Sequence, residues 1–150
     1  MSDNWITLIP TDPYFVPTKE NLASALSLLK QFVPDADEVE SISSDKVMFV
    51  DCGGNWSGVL CPKCNVDLED WFFSDAMETA HADQFRNLVQ AVPCCGASIS
   101  LNDLNFVWAV GFARCKLEAM NPNIRDLSAE QIRLIETALQ HSVRRIWIHI

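Results

Sequence analysis

The chain has 150 residues, of which 49% are hydrophobic, and its formal net charge is −9. This length fits one globular domain with a buried core, and the apolar content excludes a largely disordered chain. A surface this acidic repels phosphate backbones, which argues against general nucleic-acid binding and suits a basic protein partner. Solubility alone is the competing explanation of the charge.

The N-terminal residues carry no targeting signal. The first fifteen residues contain Asp3 and Asp12 but no basic segment followed by a long apolar run, so no signal peptide is predicted. No apolar run approaches about 18 residues, the length that a transmembrane helix requires. We therefore expect a cytoplasmic protein without a membrane segment, in which closely spaced cysteines indicate metal binding more than disulfides.

The chain begins with a predicted strand and a predicted helix. Residues 5–9 are β-branched and aromatic, which is typical of a strand. Residues 18–33 repeat leucine at helical spacing, with Thr18 placed to cap the helix and Pro34 placed to end it.

The next segments predict a hairpin and an acidic helix. Residues 37–43 and 46–52 each read as a short strand, and residues 44–45 separate them as a turn. Residues 67–85 predict an amphipathic helix whose outer face is acidic. That face comprises Glu69, Asp70, Asp75, Glu78 and Asp83.

The C-terminal third is less uniform. In residues 105–120 apolar side chains recur at alternate positions, and the alternation shifts by one residue near Gly111, which predicts a long strand with a bulge. A helix is the alternative, because Arg114 and Glu118 have the i,i+4 spacing of a helical ion pair. Residues 128–142 predict a helix that starts with a capping box at Ser128. Residues 143–150 predict a final strand, with isoleucine at alternate positions.

When residues 52–104 are left out, the remaining predicted elements follow a recognisable order. They run strand, helix, paired strands, long strand, helix, strand, which resembles a ferredoxin-like α+β sandwich. We therefore predict a single α+β domain over residues 1–150, with an inserted zinc-ribbon-like module at about residues 52–104.

Four cysteines in this insertion have the spacing of a structural metal site. The run CPKC holds Cys61 and Cys64 on a two-residue spacer, which turns both sulfurs towards one point. The run PCCG supplies Cys94 and Cys95, and adjacent residues of a strand point to opposite faces. Both can therefore reach one ion only from a turn, which the flanking proline and glycine favour. The sequence predicts a structural Zn²⁺ bound by these four residues.

Alternatives to this ligand set remain open. The usual second half-site has its first cysteine where Val92 stands, so Cys94 is the least secure ligand, and Cys52 or His81 can replace one of the adjacent pair. Free buried thiols or a vicinal redox pair are further readings. A catalytic zinc requires an open coordination position, and the sequence contains neither HExxH nor the deaminase pattern.

Two runs of the sequence carry a family resemblance. VDCGGNWSGVLCPKCNVDLEDW and PCCGASISLNDLNFVWAVGFARCKLE contain the marks DCGxN, CPxC, PCCG, SLNDL and GFAR. On these marks, residues 50–118 resemble a family of small uncharacterised bacterial zinc-ribbon proteins. The resemblance implies a cytosolic zinc protein with the four cysteines as ligands, and it implies no particular reaction.

The sequence holds no recognised catalytic motif, so we expect a protein that is not an enzyme. The most concrete hypothesis is a protein-interaction module, namely an acidic immunity protein that binds and blocks a basic bacterial toxin. The residues predicted to bind this partner are Trp56, Glu69, Asp70, Asp75 and Glu78.

Two other functions stay open at this point. The first is an enzyme with a polar site around Asp51, Asn55 and Asp103, beside a structural zinc. The second is a nucleic-acid binder that uses the basic C-terminal third. The residues predicted to contact the nucleic acid are Arg114, Lys116, Arg133, Arg144 and Arg145.

Overall fold

The computed structural model describes residues 2–150 as a mixed α+β fold with three antiparallel sheets. The strands are β1 (Asn4–Pro10), β2 (Glu38–Val50), β3 (Val59–Leu60), β4 (Val89–Ala91), β5 (Ser98–Ser100), β6 (Asn105–Phe106), β7 (Gly111–Met120) and β8 (Val143–His149). The helices are α1 (Lys19–Phe32), α2 (Glu69–Trp71), α3 (Met77–Ala82) and α4 (Ala129–Leu139). A π-helical segment, Phe72–Ala76, joins α2 to α3, and a 3₁₀ turn, Leu101–Asp103, follows β5.

A four-stranded sheet forms the centre of the fold. Its strand order is β2–β7–β1–β8, and each neighbouring pair is antiparallel. Helices α1 and α4 contact each other on one face of this sheet, where alternate strand residues point towards them. The buried cluster on this face includes Ile6, Leu8, Leu29, Leu117 and Ile135.

Both long helices begin where the sequence predicts. The Thr18 side chain accepts a hydrogen bond from the Asn21 N–H, which caps α1. Ser128 and Gln131 form the predicted capping box at the start of α4, each side chain accepting from the other residue's backbone N–H.

The predicted hairpin at residues 37–52 is wrong, because β2 is one strand. Strand β7 gives it a continuous antiparallel partner, and the expected turn becomes a bulge between Ser43 and Met48. Ser44 stabilises this bulge, since its side chain accepts from the Lys46 N–H and its carbonyl oxygen accepts from the Arg114 side chain.

The strand prediction for residues 105–120 is confirmed for Gly111–Met120, and the helix alternative is wrong. Residues 105–106 form the separate short strand β6 instead of continuing β7. Gly111 allows β7 to lie against β1, because an added Cβ would come 2.6 Å from Cδ1 of Ile9. Beyond the bulge, Val50 of β2 and Ala113 of β7 pack with Ile146 of β8. Because β2 and β8 are opposite edges of the sheet, this contact requires β2 and β7 to curve over its second face.

This curvature brings the end of β2 close to the opposite edge of the sheet. Gly53 forms a parallel bridge with His149 of β8. The Gly54 N–H donates a hydrogen bond to the carbonyl oxygen of His149 at 2.7 Å. Gly53 has φ +60°, and an added Cβ would clash with the His149 oxygen, so both backbone conformation and space require glycine.

The segment from β3 to β6, residues 59–106, is called the cysteine module below. It contains the β4–β5 hairpin and the helical stretch 69–82, and β3 pairs with β6. Its core is continuous with the sheet, because Val47 and Phe112 share a buried cluster with module residues. The module residues of this cluster include Val59, Leu68, Phe72, Leu88, Ile99 and Leu101.

Across residues 2–150, none of the helices combines the length and the apolar composition needed to cross a bilayer.

Candidate metal centre

The first cysteine pair lies in a tight turn at residues 61–65. The Cys61 N–H donates to the Val66 oxygen at 2.9 Å, and the Asn65 N–H donates to the Cys61 oxygen at 2.8 Å. Asn65 takes a left-handed conformation, with φ 64°, which ends the turn. The Lys63 N–H lies 3.4 Å from Sγ of Cys61, so the backbone of the turn points at this sulfur.

The second cysteine pair lies in a turn with the same hydrogen bonds. The Val92 N–H donates to the Ala97 oxygen at 3.0 Å, and the Gly96 N–H donates to the Val92 oxygen at 2.9 Å. Gly96 is left-handed, with φ 72°. The backbone at Cys94 and Cys95 is a turn and not a strand, as their adjacency predicts.

The two turns therefore correspond residue by residue. Val92 takes the place that Cys61 has in the first turn, and both side chains are buried. Cys95 corresponds to Cys64, and Cys94 takes the place of Lys63 between the two usual ligand positions. The second turn thus keeps the backbone of a metal-binding knuckle but offers its extra thiol from a different position.

These four thiols converge on one point. The Sγ atoms of Cys61, Cys64, Cys94 and Cys95 all lie within 4.8 Å of one another. Tetrahedral zinc with bonds of about 2.3 Å separates its sulfurs by about 3.8 Å, so a small contraction brings all four into range. Within residues 2–150 they form the one group of three or more candidate ligands. Four close cysteines can hold a metal ion and leave no open position for substrate.

The alternative ligands lie outside this group. Cys52 is buried in the cluster between the curved strands and the sheet, and it has no place among the four thiols. His81 is exposed, and its ring packs edge-on against Phe85 at 5.7 Å. The structure has all six cysteines as free thiols.

The backbone prepares one of the four sulfurs for metal binding. The N–H groups of Cys64 and Lys63 stabilise the Cys61 thiolate and lower the pKa of Cys61 to about 7. The pKa of Cys94 is raised to about 12, first by its hydrogen bond with the Cys64 sulfur and then by desolvation. The turn therefore favours the thiolate of Cys61, whereas a metal ion bound by Cys94 must displace a more tightly held proton.

The two remaining cysteines belong to the core. Burial raises the pKa of Cys115 to about 11 and also raises the pKa of Cys52, where the nearby Asp51 charge adds to the effect. Both side chains are at most 1% exposed. Neither thiol has the low pKa or the access that a reactive cysteine requires.

The residues predicted to bind a partner fall into two groups. Trp56 is half-buried, stacks on Phe72 with ring centres 5.9 Å apart, and donates from its indole N–H to Glu69. Trp56 and Glu69 therefore use part of their hydrogen-bonding capacity on each other. The other three carboxylates are exposed, and none forms an ion pair within residues 2–150. They belong to Asp70, Asp75 and Glu78.

The polar residues proposed for an enzyme site have structural contacts. Asp51 accepts from the Cys52 N–H at 2.7 Å, and Asn55 donates to the Trp147 oxygen at 3.0 Å. Asp103 is exposed on the surface. The buried polar group of this region is Asn102, a neighbour of Asp103 that is 2% exposed.

Asn102 joins four separate parts of the chain. Its Oδ1 accepts from the Phe112 N–H at 3.0 Å and from Arg144 Nη1 at 3.1 Å, and its Nδ2 donates to the Thr11 oxygen at 3.0 Å. Arg144 also donates to the carbonyl oxygens of Asn102 and Val110. Burial lowers the pKa of Arg144 from its ordinary value, and these oxygens satisfy the donors of its partly buried guanidinium.

The five basic residues proposed for nucleic-acid binding are likewise engaged. Arg145 pairs with Asp126 at 2.9 Å, Lys116 pairs with Glu118 at 3.3 Å, and Arg133 pairs with Glu130. The other two, Arg114 and Arg144, donate to backbone or amide oxygens. Cations that are already paired give little net attraction to a phosphate backbone.

No protein-family model matches this chain, and comparisons with curated proteins and with solved structures found no significant match.

The correspondence of the two turns predicts a rescue. Cys94→Ala alone removes one thiol, and we expect metal affinity to fall by more than about a hundredfold, since weaker outer-shell changes already cost 10–100-fold. Adding Val92→Cys restores a CPxC knuckle and should recover at least about a tenth of the wild-type affinity. Competition with a chromophoric chelator measures the metal affinity of the single and of the double variant. Equal affinities for the single and double variants would show that the two turns do not correspond.

Proposed function

We propose that the four cysteines hold a structural Zn²⁺ in a zinc-ribbon-like module. The observation that carries this is the convergence of four thiols from two equivalent turns. Zinc suits four thiolates in a tetrahedron, and such a closed site supports folding but does not activate water. Metal analysis of the purified protein should give one zinc per chain, and the visible absorbance of iron bound to sulfur would contradict the proposal.

We also propose that the sheet and its two long helices form a ferredoxin-like sandwich. In its support, β1, α1, β2, β7, α4 and β8 follow the β–α–β–β–α–β order, and the sheet order β2–β7–β1–β8 is that of this fold. The cysteine module then interrupts the connection between the second and third strands of the sandwich.

On this scaffold we propose a non-enzymatic protein-interaction module that acts in the cytoplasm. Its most concrete form is an acidic immunity protein that binds and blocks a basic bacterial toxin. The supporting observation is an asymmetry of charge. Five basic residues of the C-terminal third are engaged, namely Arg114, Lys116, Arg133, Arg144 and Arg145. Asp70, Asp75 and Glu78, in contrast, are exposed and form no ion pair within residues 2–150. Free carboxylates of one sign attract a basic surface and speed its approach.

Removing these charges should slow association with a basic partner. The triple variant Asp70→Asn, Asp75→Asn, Glu78→Gln should bind a basic toxin encoded beside its gene about tenfold more slowly at low salt, and the difference should shrink at high salt. Stopped-flow or surface-plasmon measurements give the rates, and protection of cells against the toxin gives the biological readout.

A matched variant separates this surface from net charge. Glu20→Gln, Glu38→Gln, Asp45→Asn removes three exposed charges elsewhere and should leave the association rate within about twofold of wild type. If both triple variants associate with the partner equally slowly, the overall charge of the protein, and not this surface, sets the association rate. Failure of the wild-type protein to bind and protect would contradict the immunity function itself.

A further inference from the structure

A cleft of about 760 Å³ lies on the molecule away from the four cysteines. Its walls are the start of β1, the segment before β2, the turn that follows β7, and the end of β8 with the two loops beside it. Small-molecule sites typically have volumes of about 300–1,000 Å³, so this cleft has the size of one. It mixes two tryptophans with amide, carboxylate and guanidinium groups.

Hydrogen bonds fix one wall of the cleft. Asn121 accepts from the Asn4 N–H and donates to carboxylate oxygens of Asp3 and Asp37, each at 2.9 Å. Asn121 and Asn123 both have positive φ, of 47° and 56°, in the turn after β7. Left-handed non-glycine residues persist where the surrounding contacts hold them, so this wall is preformed.

The opposite wall is fixed as well. Asn55 donates from Nδ2 to the Trp147 oxygen at 3.0 Å, and the neighbouring Gly54 N–H donates to the His149 oxygen at 2.7 Å. The Asn55 side chain therefore keeps its Oδ1 available for a ligand. Because both walls are held by the fold, a ligand needs little rearrangement to bind.

The lining offers free donors, free acceptors and aromatic faces together. Trp108 is 45% exposed, and Trp147 is half-buried. Within residues 2–150, neither indole N–H has a hydrogen-bond partner, and neither the Asp35 carboxylate nor the Arg125 guanidinium forms an ion pair. Indole rings present a large apolar face with one donor at the edge.

We propose that this cleft binds a neutral saccharide. A sugar hydroxyl both donates and accepts, so it suits a lining in which carboxylate and amide oxygens alternate with N–H donors. The apolar C–H face of a sugar ring stacks on an indole. The carboxylates of Asp35 and Asp37 disfavour an anion. The mixed donors and acceptors of the lining match the hydroxyl groups of a sugar ring better than they match the ammonium group of an organic cation, which offers no acceptor.

The indole N–H signals of ¹⁵N-labelled protein test this directly. The chain has five tryptophans. Titration with glucose, galactose, mannose and N-acetylglucosamine should shift the signals of Trp108 and Trp147, and leave those of Trp5, Trp56 and Trp71 in place. We expect at least one sugar to half-saturate the cleft at about 1 mM, equivalent to about −4 kcal/mol. Choline and inorganic phosphate should cause no shift at the same concentrations.

Variants separate the cleft from nonspecific effects. Trp108→Ala should weaken sugar binding at least about tenfold, and Trp108→Phe should recover part of it because a ring remains. Asp35→Asn should also weaken it, whereas Phe73→Ala, which removes an exposed aromatic elsewhere, should not. The proposal is overturned if no sugar shifts the two signals, if choline or phosphate binds instead, or if Trp108→Ala binds as well as wild type.

Discussion

We expect Cys61→Ser to abolish binding of the proposed Zn²⁺ and to unfold the cysteine module. Cys61 is the sulfur that the backbone N–H groups of its turn stabilise as a thiolate, and its side chain is 1% exposed within the module core. A serine oxygen is a poor zinc ligand and places a hydroxyl in that core. At free zinc a thousandfold above the dissociation constant, binding contributes about 4 kcal/mol of stability, and the variant loses this contribution.

The unfolding should be local, and this gives the measurement. The cluster under α1 and α4 contains none of the four cysteines, so the helix side of the sheet should stay folded. Near-ultraviolet circular dichroism of Trp56 and Trp71 should collapse, whereas far-ultraviolet helicity should fall only in part. Chelation of the wild-type protein should reproduce the same spectrum.

A core cysteine provides the control for this substitution. Cys115→Ala changes a buried thiol outside the metal group, so it should lower the free energy of unfolding by about 1–2 kcal/mol without changing metal content. A Cys61→Ser protein that keeps one metal per chain would contradict the four-cysteine site.

Asn102→Ala should lower the free energy of unfolding by about 2–5 kcal/mol, because it leaves a buried backbone N–H without its acceptor and removes two further hydrogen bonds. The substitution leaves the Arg144 guanidinium and the Phe112 N–H without their shared acceptor, and the Thr11 oxygen without its donor. The unsatisfied N–H of buried Phe112 costs about 1–3 kcal/mol, and each of the other two lost hydrogen bonds costs about 0.5–1.5 kcal/mol. Chemical denaturation measures the change, and the midpoint of thermal unfolding should fall by about 10 °C.

Two variants define what Asn102 contributes. Asn55 is half-buried and its side chain forms one hydrogen bond, so Asn55→Ala should lower the free energy of unfolding by about 1 kcal/mol. Asn102→Asp keeps an acceptor for Arg144 but loses the donor to Thr11, so its cost should fall between the two. If Asn102→Ala costs no more than Asn55→Ala, the contacts around Asn102 do not stabilise the fold.

Local features were predictable because their causes lie within a few residues. Thr18 and Ser128 cap helices through side chains that reach only three residues along the chain. The turn at Cys94 and Cys95 follows from their adjacency and from the bracketing proline and glycine. Such features depend on short-range geometry, so the residues beside them in the sequence are enough to predict them.

The missed features depend on distant parts of the chain. The turn residues at 44–45 became a bulge because β7, some seventy positions later, supplies a continuous partner. Asn102 stabilises the fold through residues as far away as Thr11 and Arg144, so its neighbours in sequence do not indicate its role. The cleft likewise collects its residues from six separate stretches of the chain.

The bridge between Gly53 and His149 also affects how the molecule resists aggregation. An open sheet has two edges whose free N–H and C=O groups can pair with another chain. Gly53 and Gly54 cover part of the β8 edge, and the bulge in β2, together with the charges of Glu38 and Glu40, distorts and charges the other. The sheet is thus closed at one end of β8 and is bulged and charged along β2, and both features disfavour pairing with the edge of a second copy.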